Sequence, residues 1–309
     1  MNFYKIINLF FDLYYFADFI PSCVKKLKVD KMMKEIITNI SNFIFPLYYK
    51  FTPTNLNPSY ADKKIIVSLT SFPQRIDKVW ITIESIMHQT IKPDKIILWL
   101  SKEEFKNPDR IPSTLKKLTK RGLEIEWVEG NLKSHKKYYY AFDKYKEHYL
   151  LLIDDDIIYP RNMISLLKKD MSPEKVHCSF GYIISYNEKG EPRNYKEWSF
   201  LLNTYYGKEL FFGSGGGTLL NPSSFPTETL IKDIFMEITP LSDDIWLNTM
   251  ARINNLTIKK VREWKYLPVR IKNNKSLYTQ NLLSSYNDVM IKKIRKRYPF
   301  VFSQDRNGE

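Results

Sequence analysis

Three consecutive carboxylates, Asp154, Asp155 and Asp156, directly follow the apolar run 149–153. Such a run is typical of a strand buried on both faces of a parallel sheet, and open α/β sheets bind their ligands at the carboxyl ends of strands. Adjacent carboxylates repel one another, and a hard cation bound by their oxygens removes that repulsion. The triplet therefore indicates a cation site, with Asp154 and Asp156 on one side of the chain. A solvated acidic turn is the alternative for the triplet taken alone.

A second acidic pair, Asp243-Asp244, follows Ser242, which is a good capping residue for a helix that starts there. Acids in the first turn also interact favourably with the helix dipole. Capping alone would be satisfied by Ser242 and Asp243. Asp244 therefore has less structural reason to be acidic and is the better candidate for a general base.

Glycines Gly215, Gly216 and Gly217 lie in an apolar frame between the two acidic clusters. Glycine allows backbone shapes and close approaches that a Cβ would block. The segment lacks the lysine of a nucleotide-triphosphate P-loop and the spacing of a dinucleotide fingerprint. We therefore expect these residues to let the backbone approach a bound ligand.

Together these features favour a metal-bound diphosphate beside a general base. A divalent ion that bridges diphosphate to carboxylates neutralises a leaving group. Asp156 is the predicted metal ligand, Asp154 or Asp155 contacts the ribose or is a second ligand, and Asp244 is the predicted base.

Alternating strands and helices must position these residues. Strands are predicted at 65–69, 96–100, 123–128, 149–153 and 176–186. Helices are predicted at 77–88, 112–122 and 136–146, and two more follow, one after Pro160 that ends at 169 and one after Ser242. Strands that alternate with helices of this length predict βαβ units and a mostly parallel sheet. The polar and aromatic segment 187–207 has no period and is expected to be a long loop that lines the site.

The composition limits the class of partner. The chain has 309 residues, 43% of them hydrophobic, a formal charge of +14 and a pI near 9.4. A strongly basic protein suits nucleic acid, an anionic membrane surface or a phosphorylated substrate. The two cysteines, Cys23 and Cys178, have no metal or redox spacing, which indicates a reducing compartment. The four histidines have no ligand spacing, so we expect no zinc site.

Residues 1–60 are predicted to form a helical, aromatic extension. Polar residues such as Lys5 and Asp12 interrupt the first apolar stretch, which makes a membrane-spanning helix a poor interpretation. The extension either lies on a membrane surface, where Lys25, Lys26 and Lys28 would meet anionic lipid, or packs against the main body. A third interpretation is that these lysines lie on a helical face that contacts only solvent. The linker with Pro58 leads to a main domain at 61–290, divided into 61–186 and 187–290, and then to a basic tail at 291–309.

Several segments resemble bacterial family 2-type glycosyltransferases of the GT-A fold, especially those of capsule and surface-polysaccharide biosynthesis. The likeness covers about residues 62–290. The segments that carry it are VSLTSFPQR (67–75), TIESIMHQT (82–90), PDKIILWLS (93–101) and the acidic triplet. The resemblance implies a GT-A-like (Rossmann-like) α/β fold, with a mostly parallel sheet flanked by helices and an N-terminal helical extension. It also implies a nucleotide-sugar donor and Mn²⁺ or Mg²⁺ at the Asp-x-Asp motif.

The resemblance further implies that Thr70, Ser71 and Arg75, at the end of the first strand, contact the nucleotide. A surface position remains equally open for Arg75. Lys137 is the second candidate donor contact, whereas Lys136 is expected to be surface charge. Trp246 would stack on an acceptor ring, although a core position is more common for tryptophan.

One departure from the family concerns the acceptor-side acids, because Asp243-Asp244 replaces the frequent Glu-Asp pair. The glycine run followed by two aspartates also resembles fringe-like inverting transferases.

The predicted protein is therefore a metal-dependent glycosyltransferase, which moves a sugar from a UDP-sugar to a glycan or lipid-linked saccharide with inversion. It would lie in the cytoplasm at the inner face of the membrane. The alternatives are another metal- and nucleotide-dependent enzyme, such as a nucleotidyltransferase, and a nucleic-acid-binding protein. Nucleotidyltransferases favour a glycine-rich, basic loop directly after the first strand, whereas the segment 70–75 has no glycine, which argues against that class. The second needs a recognisable binding module, and we expect no nucleic-acid partner.

Overall fold

The computed structural model describes most of the chain. The described residues are 3–21, 25, 27–56, 63–105, 107, 111–263, 265–271 and 285–304. Cys23, Lys26, Pro58 and the last residues of the predicted basic tail lie outside these ranges.

The helices are α1 (Phe3–Phe16), α2 (Val29–Phe51), α3 (Val79–Met87), α4 (Ser113–Thr119), α5 (Lys136–Lys144), α6 (Met163–Lys168), α7 (Lys232–Ile238), α8 (Asp243–Ile253) and α9 (Tyr286–Arg297). The strands are β1 (Ile65–Thr70), β2 (Lys95–Ser101), β3 (Leu123–Val128), β4 (Tyr149–Ile153), β5 (Ile157–Ile158), β6 (Lys175–Cys178), β7 (Gly181–Ile183), β8 (Ser199–Phe200), β9 (Tyr205–Tyr206), β10 (Leu210–Phe212), β11 (Gly216–Leu220), β12 (Thr257–Lys260) and β13 (Leu267–Pro268).

A central sheet of eight strands has the order β3-β2-β1-β4-β11-β6-β12-β9. Strands β3, β2, β1, β4, β6 and β12 run in one direction, and β11 and β9 run in the other. The carboxyl ends of β1 and β4 therefore meet at the same edge. The predicted α/β class, a mostly parallel sheet with flanking helices and an N-terminal helical extension, is confirmed.

The sheet is buried on both faces, as the apolar strands predict. Successive residues of β4 alternate between two cores: Leu150 and Leu152 pack with α5, and Leu151 and Ile153 pack on the opposite face with α3. All four of these side chains are fully buried. Helices on both faces leave the strand ends as the accessible edge.

The predicted bounds of β3 and β4 are correct, whereas two helices are shorter than predicted. The helix that follows β1 begins at Val79, two residues after its predicted start at position 77. The helix predicted to end at Gly122 ends at Thr119. Gly122 lies beyond it at a φ of 110°, a conformation that favours glycine.

The single strand predicted at 176–186 is wrong, because the segment contributes to two sheets. Cys178 pairs with Thr218 in the central sheet, whereas Gly181 pairs with Phe212 in a three-stranded antiparallel sheet of order β10-β7-β8. The segment predicted as a loop at 187–207 contains the short strands β8 and β9. The predicted tail at 291–309 also begins inside α9, whose Ile291 and Ile294 are buried in the core.

The two N-terminal helices run antiparallel and pack against the main body. Phe11 meets Phe45 edge to face, and Tyr14 lies under the Lys34 ammonium. Their inner face shares a buried apolar cluster with Ile81 and Leu267 of the main domain. Among the described residues, no helix combines the length and apolar character that crossing a bilayer requires.

Phe45→Ala should lower the free energy of unfolding by about 3–5 kcal/mol, because it leaves a cavity where the helical pair meets the body. Phe45 is 1% exposed. Phe43→Ala, two residues away on the same helix, is the matched control, since Phe43 is 69% exposed and should change stability little. Denaturant unfolding checks both variants, and equal destabilisation would contradict the described packing.

Candidate active site

Ion pairs join the ends of β1 and β4. The Ser71 hydroxyl donates a hydrogen bond of 2.6 Å to one Asp155 oxygen, and the Arg75 guanidinium donates one of 2.7 Å to the other. The same Arg75 nitrogen lies 2.8 Å from an Asp156 oxygen. These contacts form because parallel neighbouring strands place the residues after Thr70 and Ile153 side by side.

A second cation joins the triplet to the acidic pair. Lys137 lies in the first turn of α5, and its side chain is 5% exposed. Its ammonium is 2.8 Å from Asp154 and 3.0 Å from Asp243. Lys137 therefore connects two acidic clusters that are almost ninety positions apart in sequence.

The turn Gly213-Ser214-Gly215, between β10 and β11, holds the acidic pair. The Ser214 backbone N–H donates to Asp244 at 2.7 Å, and the Ser214 hydroxyl donates to Asp243 at 2.5 Å. As predicted, Ser242 caps α8, since its hydroxyl accepts a hydrogen bond from the Ile245 N–H at 3.3 Å. The acidic pair thus occupies the positive end of a capped helix.

Gly215 makes room for the first carboxylate of the triplet. A Cβ on Gly215 would lie 1.9 Å from the Asp154 Cγ, and the Asp154 N–H donates to the Gly215 carbonyl at 2.9 Å. A side chain at position 215 would therefore displace Asp154. Gly216 instead pairs with Ile153, and Gly217 has a φ of 93° at an irregular point of the strand.

The two carboxyls of the acidic pair have opposite pKa shifts. Burial alone would raise the pKa of Asp243, but Lys137, His135 and the Ser214 hydroxyl hold it below its ordinary value. Burial and the neighbouring Asp243 charge raise the pKa of Asp244 to about 6. Paired acids with separated pKa values are suited to different roles, one permanently ionised and one able to exchange a proton near neutral pH.

Within the triplet, the middle carboxylate is buried and the outer two are accessible. The Asp155 side chain is 6% exposed, compared with 27% for Asp156 and 45% for Asp154. Burial raises the pKa of Asp155 and Asp156, although the Arg75 charge opposes the shift. When all of these carboxylates are ionised, their negative charge exceeds the positive charge of Arg75 and Lys137, and either a proton or a bound cation offsets the excess.

The described residues contain no group of three or more His, Cys, Asp or Glu side chains arranged to hold a metal ion. The two accessible carboxylates, Asp154 and Asp156, nevertheless supply the hard oxygen ligands that Mn²⁺ and Mg²⁺ accept. A divalent ion that binds one or two carboxylates takes its other ligands from substrate phosphates and water. The residues present therefore fit a metal that arrives with a phosphorylated ligand.

Most predicted site residues come together, but not all of them face outward. Ser71, Lys137 and Asp155 are buried behind the accessible carboxylates, so their contacts position Arg75, Asp154 and Asp243.

The hydroxyl of Thr70 donates to the Trp99 carbonyl at 2.8 Å. Lys136, predicted as surface charge, is instead 2% exposed and pairs with Glu104.

The prediction that Trp246 stacks on an acceptor ring is wrong. Trp246 is fully buried, its indole N–H donates to the Thr229 carbonyl at 3.0 Å, and its ring packs near Phe235 and Tyr298. The apolar face of α8 points into the core and carries Trp246 with it.

Sequence reasoning missed two residues that build the site. Ser214 binds both acids of the pair, and only its position between two glycines could have drawn attention to it. Tyr159 is fully buried and places its hydroxyl between the Asp154 N–H, at 3.0 Å, and the Gly215 carbonyl. No periodic signal marks that tyrosine.

No protein-family model and no curated protein sequence matches the chain. Among solved structures, it is similar to a mannosyltransferase from Pyrobaculum calidifontis in complex with GDP-Man and Mn²⁺, with 11% identity and a TM-score of 0.46 over 89% of this chain and 76% of that one. It is also similar to GalNAc-T7 with UDP, GalNAc and Mn²⁺, with 10% identity and a TM-score of 0.46. That match covers 78% of this chain but only 51% of GalNAc-T7, so the chain spans about half of its length.

Lys137→Met should lower the free energy of unfolding by about 3–5 kcal/mol, because it leaves buried carboxylates without their cation. Lys117→Met, at an exposed position of α4, is the control and should be nearly neutral. Adding Asp243→Asn to Lys137→Met should recover part of the loss, since one uncompensated charge is then removed. Chemical denaturation of the four proteins would refute the bridging role if both single lysine variants were equally stable.

Proposed function

We propose that the protein is a metal-dependent glycosyltransferase of the GT-A fold. It transfers a sugar from a nucleotide-sugar donor, a UDP-sugar, to a hydroxyl of a glycan or lipid-linked saccharide. The observation that carries this proposal is the meeting of two acidic clusters at one sheet edge. One cluster has two accessible carboxylates suited to a cation, and the other has an acid whose pKa suits a general base.

Asp244 is the proposed base. Its carboxylate takes the proton of the acceptor hydroxyl while the acceptor oxygen forms a bond to the anomeric carbon of the sugar. The bond from that carbon to the diphosphate oxygen breaks, and its electron pair leaves with the nucleoside diphosphate. A single displacement of this kind inverts the anomeric configuration.

Asp243 stays ionised beside Lys137 and fixes the start of α8, which aims Asp244. Ser214 holds Asp244 through its backbone N–H, at 2.7 Å. Asp244 thus lies in the first turn of α8, and Ser214 lies in the buried turn that joins β10 to β11. Fixed positions of this kind are what catalysis requires of a base.

Asp154 and Asp156 would hold the divalent ion, which neutralises the charge that develops on the departing diphosphate. Arg75 contacts Asp156 and is the proposed contact of the nucleotide or its diphosphate. Thr70 is the last residue of β1 and Ser71 follows it, and both are proposed to lie near the nucleotide beside Arg75. Gly215, Gly216 and Gly217 remain the proposed donor-sugar or acceptor side of the site. A Cβ on Gly215 would meet Asp154, so this glycine also keeps the first carboxylate of the triplet in place.

We place the enzyme in surface-polysaccharide synthesis, at the inner face of the membrane. The membrane location is supported by the basic charge of the chain and the exposed apolar side chains of the N-terminal helices, and the pathway by the resemblance of segments 67–75, 82–90 and 93–101 to enzymes of surface-polysaccharide synthesis. A cytoplasmic nucleotide-sugar donor and a lipid-linked acceptor meet at that location.

Asp156→Ala should abolish metal-dependent turnover of the donor, with a loss of about a hundredfold or more, because one of two cation-holding carboxylates is gone. Slow hydrolysis of a panel of nucleotide sugars with Mn²⁺ measures this and also identifies the donor. Asp143→Ala removes an exposed acid on α5 and should leave turnover unchanged. Full activity of the Asp156 variant with added Mn²⁺ would exclude the proposed ligand role.

Asp244→Asn should leave donor binding intact and reduce transfer by about 10²- to 10⁴-fold, the usual contribution of a general base. The amide keeps the shape and can still accept a hydrogen bond from the Ser214 N–H. Calorimetric titration with the nucleoside diphosphate and Mn²⁺ separates binding from transfer, and retained transfer would move the base to another residue.

The wild-type enzyme should also lose kcat as the pH falls through about 6, since Asp244 must be deprotonated to act and its pKa is raised to about 6. A rate that is constant between pH 7 and pH 5 would contradict this assignment.

A further inference from the structure

The second N-terminal helix carries an apolar stripe on its outer side. Its six members are large, are between 41% and 77% exposed, and recur at helical spacing: Met32, Ile36, Ile40, Phe43, Leu47 and Phe51. At 3.6 residues per turn they fall within a sector of about 100°. We call these six residues the outer stripe.

The first helix adds Leu9, Leu13 and Phe16, which are 38% to 59% exposed at the same kind of spacing. Among the described residues, eleven of the eighteen exposed large hydrophobic side chains lie between residues 9 and 51. Single exposed apolar residues are normal on a protein surface, but a concentration of this size indicates an interaction site.

The outer stripe is not the face by which the helical pair packs on the body. That inner face consists of other residues, among them Ile37, Phe45 and Tyr49, which are buried with Ile81 and Leu267. The helical pair is therefore covered on one side by the protein and presents its other apolar side outward.

Exposed lysines accompany this apolar surface. Lys25 and Lys28 precede α2, Lys31 lies in its first turn, and Lys50 lies near its end. Three of the four acids of the two helices and their connection are neutralised by ion pairs, and the fourth, Asp30, lies among the lysines at the start of α2. The lysines outnumber it, which leaves a positive surface. The three ion pairs concerned are Asp12 with Lys265, Asp18 with Lys34, and Glu35 with Arg270.

An apolar stripe with lysines beside it matches an anionic lipid surface, which accepts the side chains in its acyl boundary and attracts the ammonium groups by its charge. A second copy of the chain would also cover the apolar side chains, but it would bring lysines of the same sign together. The charge thus favours lipid.

We propose that the outer stripe, with Leu9, Leu13 and Phe16, is the surface by which the protein binds an anionic membrane. The helical pair lies in the plane of the interface and does not cross it.

Docking at this surface also fixes the candidate site relative to the bilayer. The Asn42 side chain donates to the Pro268 carbonyl at 2.8 Å and accepts from the Arg270 N–H at 2.7 Å. Val269, which lies between Pro268 and Arg270 in the chain, donates its backbone N–H to the Asp156 carbonyl at 2.8 Å. The helix that binds lipid is thus attached to the acid triplet through one short segment. If the proposed glycosyltransferase function holds, a site fixed at the bilayer surface in this way favours an acceptor that is itself anchored in the membrane.

Flotation of the full chain with vesicles tests the surface without any assay of activity. The protein should float with phosphatidylglycerol-containing vesicles and remain unbound with pure phosphatidylcholine, and salt should weaken binding because it screens the lysines. Phe43→Ser with Leu47→Ser should reduce the partition coefficient ~10-fold or more, since both side chains leave the acyl boundary. Lys28→Glu with Lys31→Glu should reduce binding to the anionic vesicles.

The matched control replaces Phe300 and Ile231 by serine, because these side chains are 64% and 46% exposed outside the helical pair. That variant should float like the wild type. Equal flotation of the control and the stripe variant would overturn the proposal, as would failure of the wild type to bind anionic vesicles.

A dimer in solution that the Phe43 and Leu47 variant converts to monomer, without any vesicle binding, would assign the stripe to a second copy and also overturn the proposal. Donor hydrolysis by the stripe variant should equal that of the wild type. Loss of lipid binding with retained hydrolysis therefore separates this surface from the catalytic proposal.

Discussion

The candidate site depends on an imbalance of charge at one edge of the sheet. Five carboxylates surround two buried cations there: Asp154, Asp155, Asp156, Asp243 and Asp244, with Arg75 and Lys137. Buried charge is costly unless it is paired, so these contacts constrain every element that supplies one of the residues. Burial and the neighbouring carboxylates raise the pKa of Asp156 and Asp244, so either a proton or a bound cation can offset the excess negative charge. Asp154 and Asp156 are the accessible carboxylates of the triplet and therefore the proposed cation ligands.

Backbone geometry makes this arrangement possible. Parallel β1 and β4 bring Ser71 and the triplet together, and the antiparallel neighbour β11 begins at the same edge. Because β11 runs in the opposite direction, the turn that precedes it lies beside the carboxyl end of β4. Gly215 then passes close to Asp154, and Ser214 reaches α8. One reversed strand thus joins the triplet to the acidic pair.

The local sequence predicts which strands and acidic residues form this site better than it predicts the contacts between them. The apolar run 149–153 specified β4 because burial on both faces requires continuous apolar residues. The break between Cys178 and Gly181 was not predictable from that pattern, since it depends on pairing with distant strands. The Lys137 bridge to Asp243 and the burial of Trp246 are likewise tertiary facts. The triplet Asp154 to Asp156 is recognisable from sequence because three adjacent acids directly after an apolar strand have few purely structural explanations.

The place of β11 in the sheet also bears on how the polypeptide assembles. Residues 216–220 insert between β4 and β6, which are formed by earlier parts of the chain. During synthesis, the edges of β4 and β6 therefore lack their partner until more than sixty further residues have followed β4. Unpaired strand edges promote association between chains. A fragment that stops before β11 also lacks β12, so it would expose one edge of β4 and both edges of β6, and aggregation is the expected fate of a prematurely terminated chain.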